Sequence, residues 1–189
     1  MFFFTFLSYN TPFRQNSTKF DKILCFNIGP RKEVFSLKIC DSYEINLSTL
    51  AVVPILGNFC RVYEKEKMFI VKGKSTSIVN SGCRFFGSSL SERQQITKRL
   101  INVSSKAPIV VEGSKMLILF PTGSPRENSC IWISFNNISK YFKENARRTK
   151  IVFKDKTQIS VPVSYNIIDN QISRCLKLEK ELDKRRKTL

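Results

Sequence analysis

Cys83-Arg84-Phe85-Phe86-Gly87-Ser88-Ser89 sets one cation, two adjacent aromatics, a glycine and two hydroxyls side by side. Glycine permits a positive φ or a close backbone approach. Ser88 or Ser89 can cap whatever follows, and Glu92 stands three residues after Ser89, the spacing of a capping box. The stretch reads as a junction: an apolar segment ends, the chain turns, and a helix begins. Phe85 and Phe86 beside Gly87 read as a core corner, whereas Arg84 and the hydroxyls need not be buried.

Downstream, residues 90–101 read as a helix with a thin apolar stripe, Leu90, Ile96 and Leu100, and a basic remainder, Arg93, Lys98 and Arg99. Upstream, Thr49 to Pro54, Phe59 to Tyr63, Met68 to Val71 and Ser75 to Val79 read as short strands, rich in β-branched or aromatic residues and bounded by turns. Their closeness implies an antiparallel meander. Past the helix, Ile109 to Val111 and Met116 to Phe120 form a hairpin about Gly113-Ser114, and Cys130 to Phe135 is a further strand carrying Trp132. Residues 138–146 read as a short helical turn. Ile151 to Phe153 and Gln158 to Val163 form the clearest hairpin, turning at Lys154–Thr157, with Ile159, Val161 and Val163 on one face and Pro162 demoting the second arm toward an edge. A last helix starts near Ile167 with Asn166 as its cap; Ile168, Ile172, Cys175 and Leu176 make its core stripe, and a basic tail follows. The class is α+β: mainly antiparallel meander and hairpins, a helix after residue 89 and a C-terminal helix.

Residues 1–41 are an irregular N-terminal extension, with Thr11-Pro12 and Gly29-Pro30 as breakers and a weak strand at 23–28. It reads as a flexible basic arm or as a poorly packed extension. Residues 42–189 read as one domain with a short basic tail. The opening MFFFTFL lacks a basic flank and is too short to cross a bilayer, so a cytoplasmic protein without a membrane role is expected.

Lys and Arg number 32 against 15 Asp and Glu, a net charge of +17. Self-repulsion on that scale destabilises a compact chain unless something anionic binds. Nucleic acid, an anionic membrane surface and an acidic protein are the candidates; a lineage preference for lysine is the plainer account. The six cysteines include no C-x-x-C pair and the chain has no histidine. That spacing fits no zinc site and offers no Ser-His or Cys-His nucleophile, so the cysteines read as reduced, mostly buried thiols. No Walker loop or dinucleotide fingerprint is present. An enzyme is not expected, nor is a cofactor or metal.

The chemistry on offer is cationic and falls in three clusters: Arg84 with Arg93, Lys98 and Arg99; Arg147, Arg148, Lys150, Lys154 and Lys156 around the clearest hairpin; and the last helix with its tail. Together they suit a phosphate-contacting surface. Solvated charge faces look the same. Nothing matches helix-turn-helix or zinc-finger patterns, which leaves a strand, a hairpin or minor-groove arms.

CRFFGSS at 83–89 resembles the hallmark of the competence transcription factor ComK family. So, in order, do SYEINLSTLAVVP at 42–54, SSKAPIVV at 104–111, LFPT at 119–122, CIWIS at 130–134 and VSYNIIDNQISR at 163–174. The family motif residues are Cys83, Phe85, Phe86, Gly87, Ser88, Ser89, Trp132, Ser164, Tyr165, Asn166 and Gln171. The resemblance covers roughly residues 42–183. It implies a bacterial DNA-binding activator of late competence genes, for DNA uptake and transformation. Such an activator binds paired AT-rich boxes largely through the minor groove, as a dimer of dimers, and acts with RNA polymerase at the nucleoid. Narrow AT-rich grooves attract inserted Arg or Lys. Arg84, Arg93, Arg147 and Arg148 would serve there, and Lys150, Lys154 and Lys156 at phosphates. Most of residues 1–41 has no counterpart in the family pattern; they are a lineage-specific arm or translated upstream sequence. Longer members continue past the last helix into a tail recognised by an adaptor to a Clp protease, a partner put in doubt by Leu189 as the last residue. Two other readings stand behind: a nucleoid-type or single-strand binder without sequence preference, stacking bases on Phe85, Phe86 and Trp132, and a basic module for an acidic protein or anionic lipid.

Overall fold

A computed structural model describes residues 38–188. The strand read at 23–28 lies outside the described residues. The elements run β1 (Lys38–Cys40), β2 (Thr49–Ile55), β3 (Phe59–Glu64), β4 (Lys67–Lys72), α1 (Ser75–Phe85), α2 (Leu90–Ile101), β5 (Ile109–Glu112), β6 (Leu117–Pro121), β7 (Trp132–Ser134), a 3-10 turn (Phe135–Asn137), β8 (Ile138–Asn145), β9 (Arg148–Phe153), β10 (Gln158–Val161) and α3 (Tyr165–Thr188). Seven strands form one sheet in the order β1-β4-β3-β2-β7-β6-β5, antiparallel except at the β1–β4 edge. Three form a second, antiparallel sheet, β10-β9-β8. The α+β class, the meander β2-β3-β4, both hairpins and the two expected helices are as the sequence indicates. Lys38–Cys40, counted above with the N-terminal extension, are a strand of the large sheet.

Two cores flank that sheet, and successive residues of one strand feed opposite cores, as the period-2 pleat requires. Val52, Leu119 and Trp132 point to the side covered by Ile78, Val79 and Cys83 of α1 and Leu90 of α2. Ala51, Ile118, Phe120 and Ile133 point to the other side. There Ile151, Phe153, Ile159 and Val161 of the small sheet meet Ile168, Cys175 and Leu178 of α3.

Five local expectations are corrected. Ser75–Val79 is not a strand but the start of α1: Ser75, Ile78, Val79, Gly82 and Cys83 are its buried residues, at i, i+3, i+4, i+7 and i+8. Ser75 Oγ donates to Cys130 O at 2.6 Å and Thr76 Oγ1 to Pro125 O at 2.7 Å, so these hydroxyls anchor the start of the helix. Residues 138–146 hold no helical turn; β8 fills that span, and register shifts at Ile138/Lys140 and Lys143/Asn145 break its alternation. Asn166 lies inside α3, whose first turn closes on Ser164 O. Leu176 is 52 % exposed, and Gln171 and Leu178 hold the core positions instead; likewise Ile96 is exposed on α2, where Thr97 and Ile101 are buried.

Gly82 has a packing reason. A Cβ there would lie 2.7 Å from Ile45 Cγ1 and 2.9 Å from Ile45 Cβ. Gly82→Ala should therefore destabilise by about 1–2 kcal/mol, the overpacking outweighing alanine's better helix propensity. Thermal melts would show it, and an unchanged midpoint would mean that α1 can back away from Ile45.

Candidate nucleic-acid interface

The 83–89 junction joins two helices. Gly87 has φ +87°, and the N–H groups of Gly87 and Ser88 close on Arg84 O and Cys83 O at 3.0 and 3.3 Å, a helix end of the kind that favours glycine. Ser89 then starts α2 with the expected capping box: Glu92 N–H donates to Ser89 Oγ, and Ser89 N–H donates to the Glu92 carboxylate at 2.7 Å. Those bonds from Ser89, backbone first, hold the Glu92 carboxyl below its usual pKa.

The first cation cluster splits. Arg93 is half-buried; its Nη2 donates to Phe86 O at 2.9 Å and Cys83 O at 3.4 Å, and its Nη1 to Val110 O at 2.5 Å. This guanidinium ties the end of α1 to edge strand β5. Arg84 and Arg99 are exposed and Lys98 is half-buried. Phe85 does not fill a core corner: it is 67 % exposed, edge-on to Phe86 at 5.0 Å, while Phe86 packs on the core.

The second cluster lies on the small sheet. Register sets Phe142, Lys150 and Ser160 in one outward row and Lys140, Val152 and Gln158 in the next, with Val152 itself buried. Arg148 lies on the same face and donates through Nε to the Glu144 carboxylate at 3.3 Å and to Ser160 Oγ at 3.1 Å; Ser160 also donates to Glu144. Lys150 Nζ sits 6.0 Å from the centroid of the Phe142 ring, itself 42 % exposed. Arg147 lies in the β8–β9 turn, and Lys154 and Lys156 in the β9–β10 turn, all exposed. Among the described residues none of Lys140, Lys150, Lys154 and Lys156 is in an ion pair. Lys140, Phe142, Gln158 and Ser160 were not among the candidates; reading residues 138–146 as a strand would have placed the first two on this face.

The third cluster is largely engaged within the fold. Lys177 Nζ donates to Ile101 O, Arg174 to Ser105 O and Arg186 to Gly113 O, while Lys184 and Arg186 pair with Glu181 and Asp183.

A model of the ComK protein family matches residues 40–187. The chain belongs to the ComK family. It is similar to the Competence transcription factor of Bacillus subtilis (strain 168), 37% identical over 137 residues, which are 71% of this chain and 71% of that protein. No solved structure matches it.

The residues that carry the ComK resemblance prove mostly architectural. Trp132 is fully buried, which removes it as a stacking platform for bases. Cys83 is buried, and burial pushes its thiol up to about 11, as it does those of Cys60 and Cys130; with Cys175 these are unbridged thiols, and Cys25 lies outside the described residues. Gln171 Nε2 donates to Lys106 O at 3.0 Å, tying α3 to the loop before β5. Ser164, Tyr165 and Asn166 border a groove of about 410 Å3 beside the β8–β9 turn, where Tyr165 stacks on Tyr141 at 5.3 Å. Tyr141 OH donates to Asp169 at 2.7 Å, and burial and this bond raise its pKa. No helix among the described residues is long and apolar enough to cross a membrane.

Proposed function

We propose that this chain is a DNA-binding transcription activator of late competence genes, recognising paired AT-rich boxes largely through the minor groove. It acts as a homo-oligomer at the nucleoid, with RNA polymerase as a partner. Membership of the ComK family across residues 40–187 carries this reading. The name of the Bacillus subtilis relative and the +17 charge support it, because phosphate neutralisation dominates affinity for DNA. The cations of the small sheet, outward and largely outside ion pairs, are the natural contacts; Arg93, held by backbone carbonyls, is assigned to the scaffold instead.

Fluorescence anisotropy on two duplexes of equal length tests it, one carrying paired A-run and T-run boxes about a helical turn apart, the other GC-rich. A preference for the AT duplex that persists as salt rises is expected. Equal binding that collapses with salt would leave counterion release alone and put a nucleoid-type binder ahead.

A further inference from the structure

We infer that a DNA duplex lies on the outward face of the β8–β9–β10 sheet and its two turns. This deepens, and rests on, the DNA-binding reading above. Charge decides among the three clusters. The small sheet offers Lys140, Arg147, Arg148, Lys150, Lys154 and Lys156 against Glu144 and Asp155. Asp155 is further held by the N–H and hydroxyl of Thr157. The α2 cluster offers exposed Arg99 and half-buried Lys98, with Arg84 nearby, against Glu92. On α3, Arg174, Lys177, Lys184 and Arg186 are bonded as described, and Lys180, Arg185 and Lys187 are interleaved with Glu179, Glu181 and Asp183.

Geometry agrees with charge. From Arg148 to Lys154 the β9 strand rises roughly 20 Å at about 3.3 Å per residue, the axial length of about six base pairs. Cations stand at both ends of that line and in its middle. Contacts to phosphate position a duplex, while sequence is read at base edges. The neutral hydrogen-bonding side chains of this face are Gln158 and Ser160 on β10, and Gln is among the side chains that read the acceptor pattern of AT pairs in the minor groove. The opposite face of the sheet is fixed against α3, so the outward face is presented rigidly. Glu144 is the unfavourable group: it holds Arg148 and places a negative charge where phosphates would come.

The full chain is titrated with the AT-box duplex at several salt concentrations, as parent, Lys140→Ala/Lys150→Ala, Arg84→Ala/Arg99→Ala and Glu144→Gln. The Lys pair should weaken binding roughly tenfold and flatten the salt slope by about 1.8, two phosphate contacts at 0.9 each. The Arg pair should change affinity less than about threefold. Glu144→Gln should tighten binding by roughly threefold, because it releases Arg148 and removes the repelling charge. Lys150 is half-buried and the other side chains are exposed, so melting temperatures should hold. A larger loss from the Arg pair than from the Lys pair, or an unchanged slope in the Lys variant, would overturn this surface while leaving DNA binding intact. No duplex binding by the parent would overturn both.

Discussion

Trp132→Ala is expected to lower the unfolding free energy by about 3–5 kcal/mol, the range for truncating a large buried aromatic. Trp132 is fully buried beside Val52 and Leu119, in the core between the large sheet and α1. The cavity would open where β7 passes between β2 and β6, inside the seven-stranded sheet. Its Nε1 has no hydrogen-bond partner, so Trp132→Phe loses volume but no bond and should recover most of the stability. Urea denaturation followed by far-UV circular dichroism measures both. A loss below about 1 kcal/mol in the alanine variant would mean the ring is not enclosed. As Trp132 is the one tryptophan in the chain, its emission should also be blue-shifted and unquenched by single strands.

The second large effect is expected at Asn137. Its Nδ2 donates to Leu47 O and Thr49 O at 3.1 Å and to Ser134 Oγ at 3.0 Å, in a buried site. Its own carbonyl accepts from Lys154 N–H at 2.9 Å, so one residue joins the large sheet to the cationic hairpin. Asn137→Ala leaves buried carbonyls without donors and should cost about 2–4 kcal/mol. Asn137→Asp keeps the shape but sets a carboxylate against carbonyl oxygens, and should be at least as harmful at neutral pH. A silent aspartate variant would remove this network from the account.

The parts legible in the sequence are those governed by local chemistry. The Ser89/Glu92 box needs only residues three apart. The turn at Lys154–Thr157 and the hairpin about Gly113-Ser114 declare themselves by composition. What escaped depends on distant partners. The helical stripe of α1 is present as 75, 78, 79, 82 and 83, but two of its members are serine and glycine; Ser75 is buried because Cys130 O receives its hydroxyl, and Gly82 because Ile45 lies against it. The strand β8 lost its alternation to two register shifts. In α3, Gln171 took a core position because Lys106 O is there to accept its amide, which left Leu176 outside. The candidate site was legible as residue type and obscure as placement. Arg93 and Arg148 read alike in sequence; one is bound to three carbonyls and the other stands on an open face.

The covering of the small sheet by Ile168, Cys175 and Leu178 orders events at the ribosome. The hairpins emerge from the exit tunnel first, and the helix that completes their core is made after them. Synthesis at roughly 5–20 residues per second separates the two by seconds. In that interval the nascent chain carries the basic side chains without the frame that spaces them. The surface assigned to DNA is thus assembled late, by the same docking step that closes the second core.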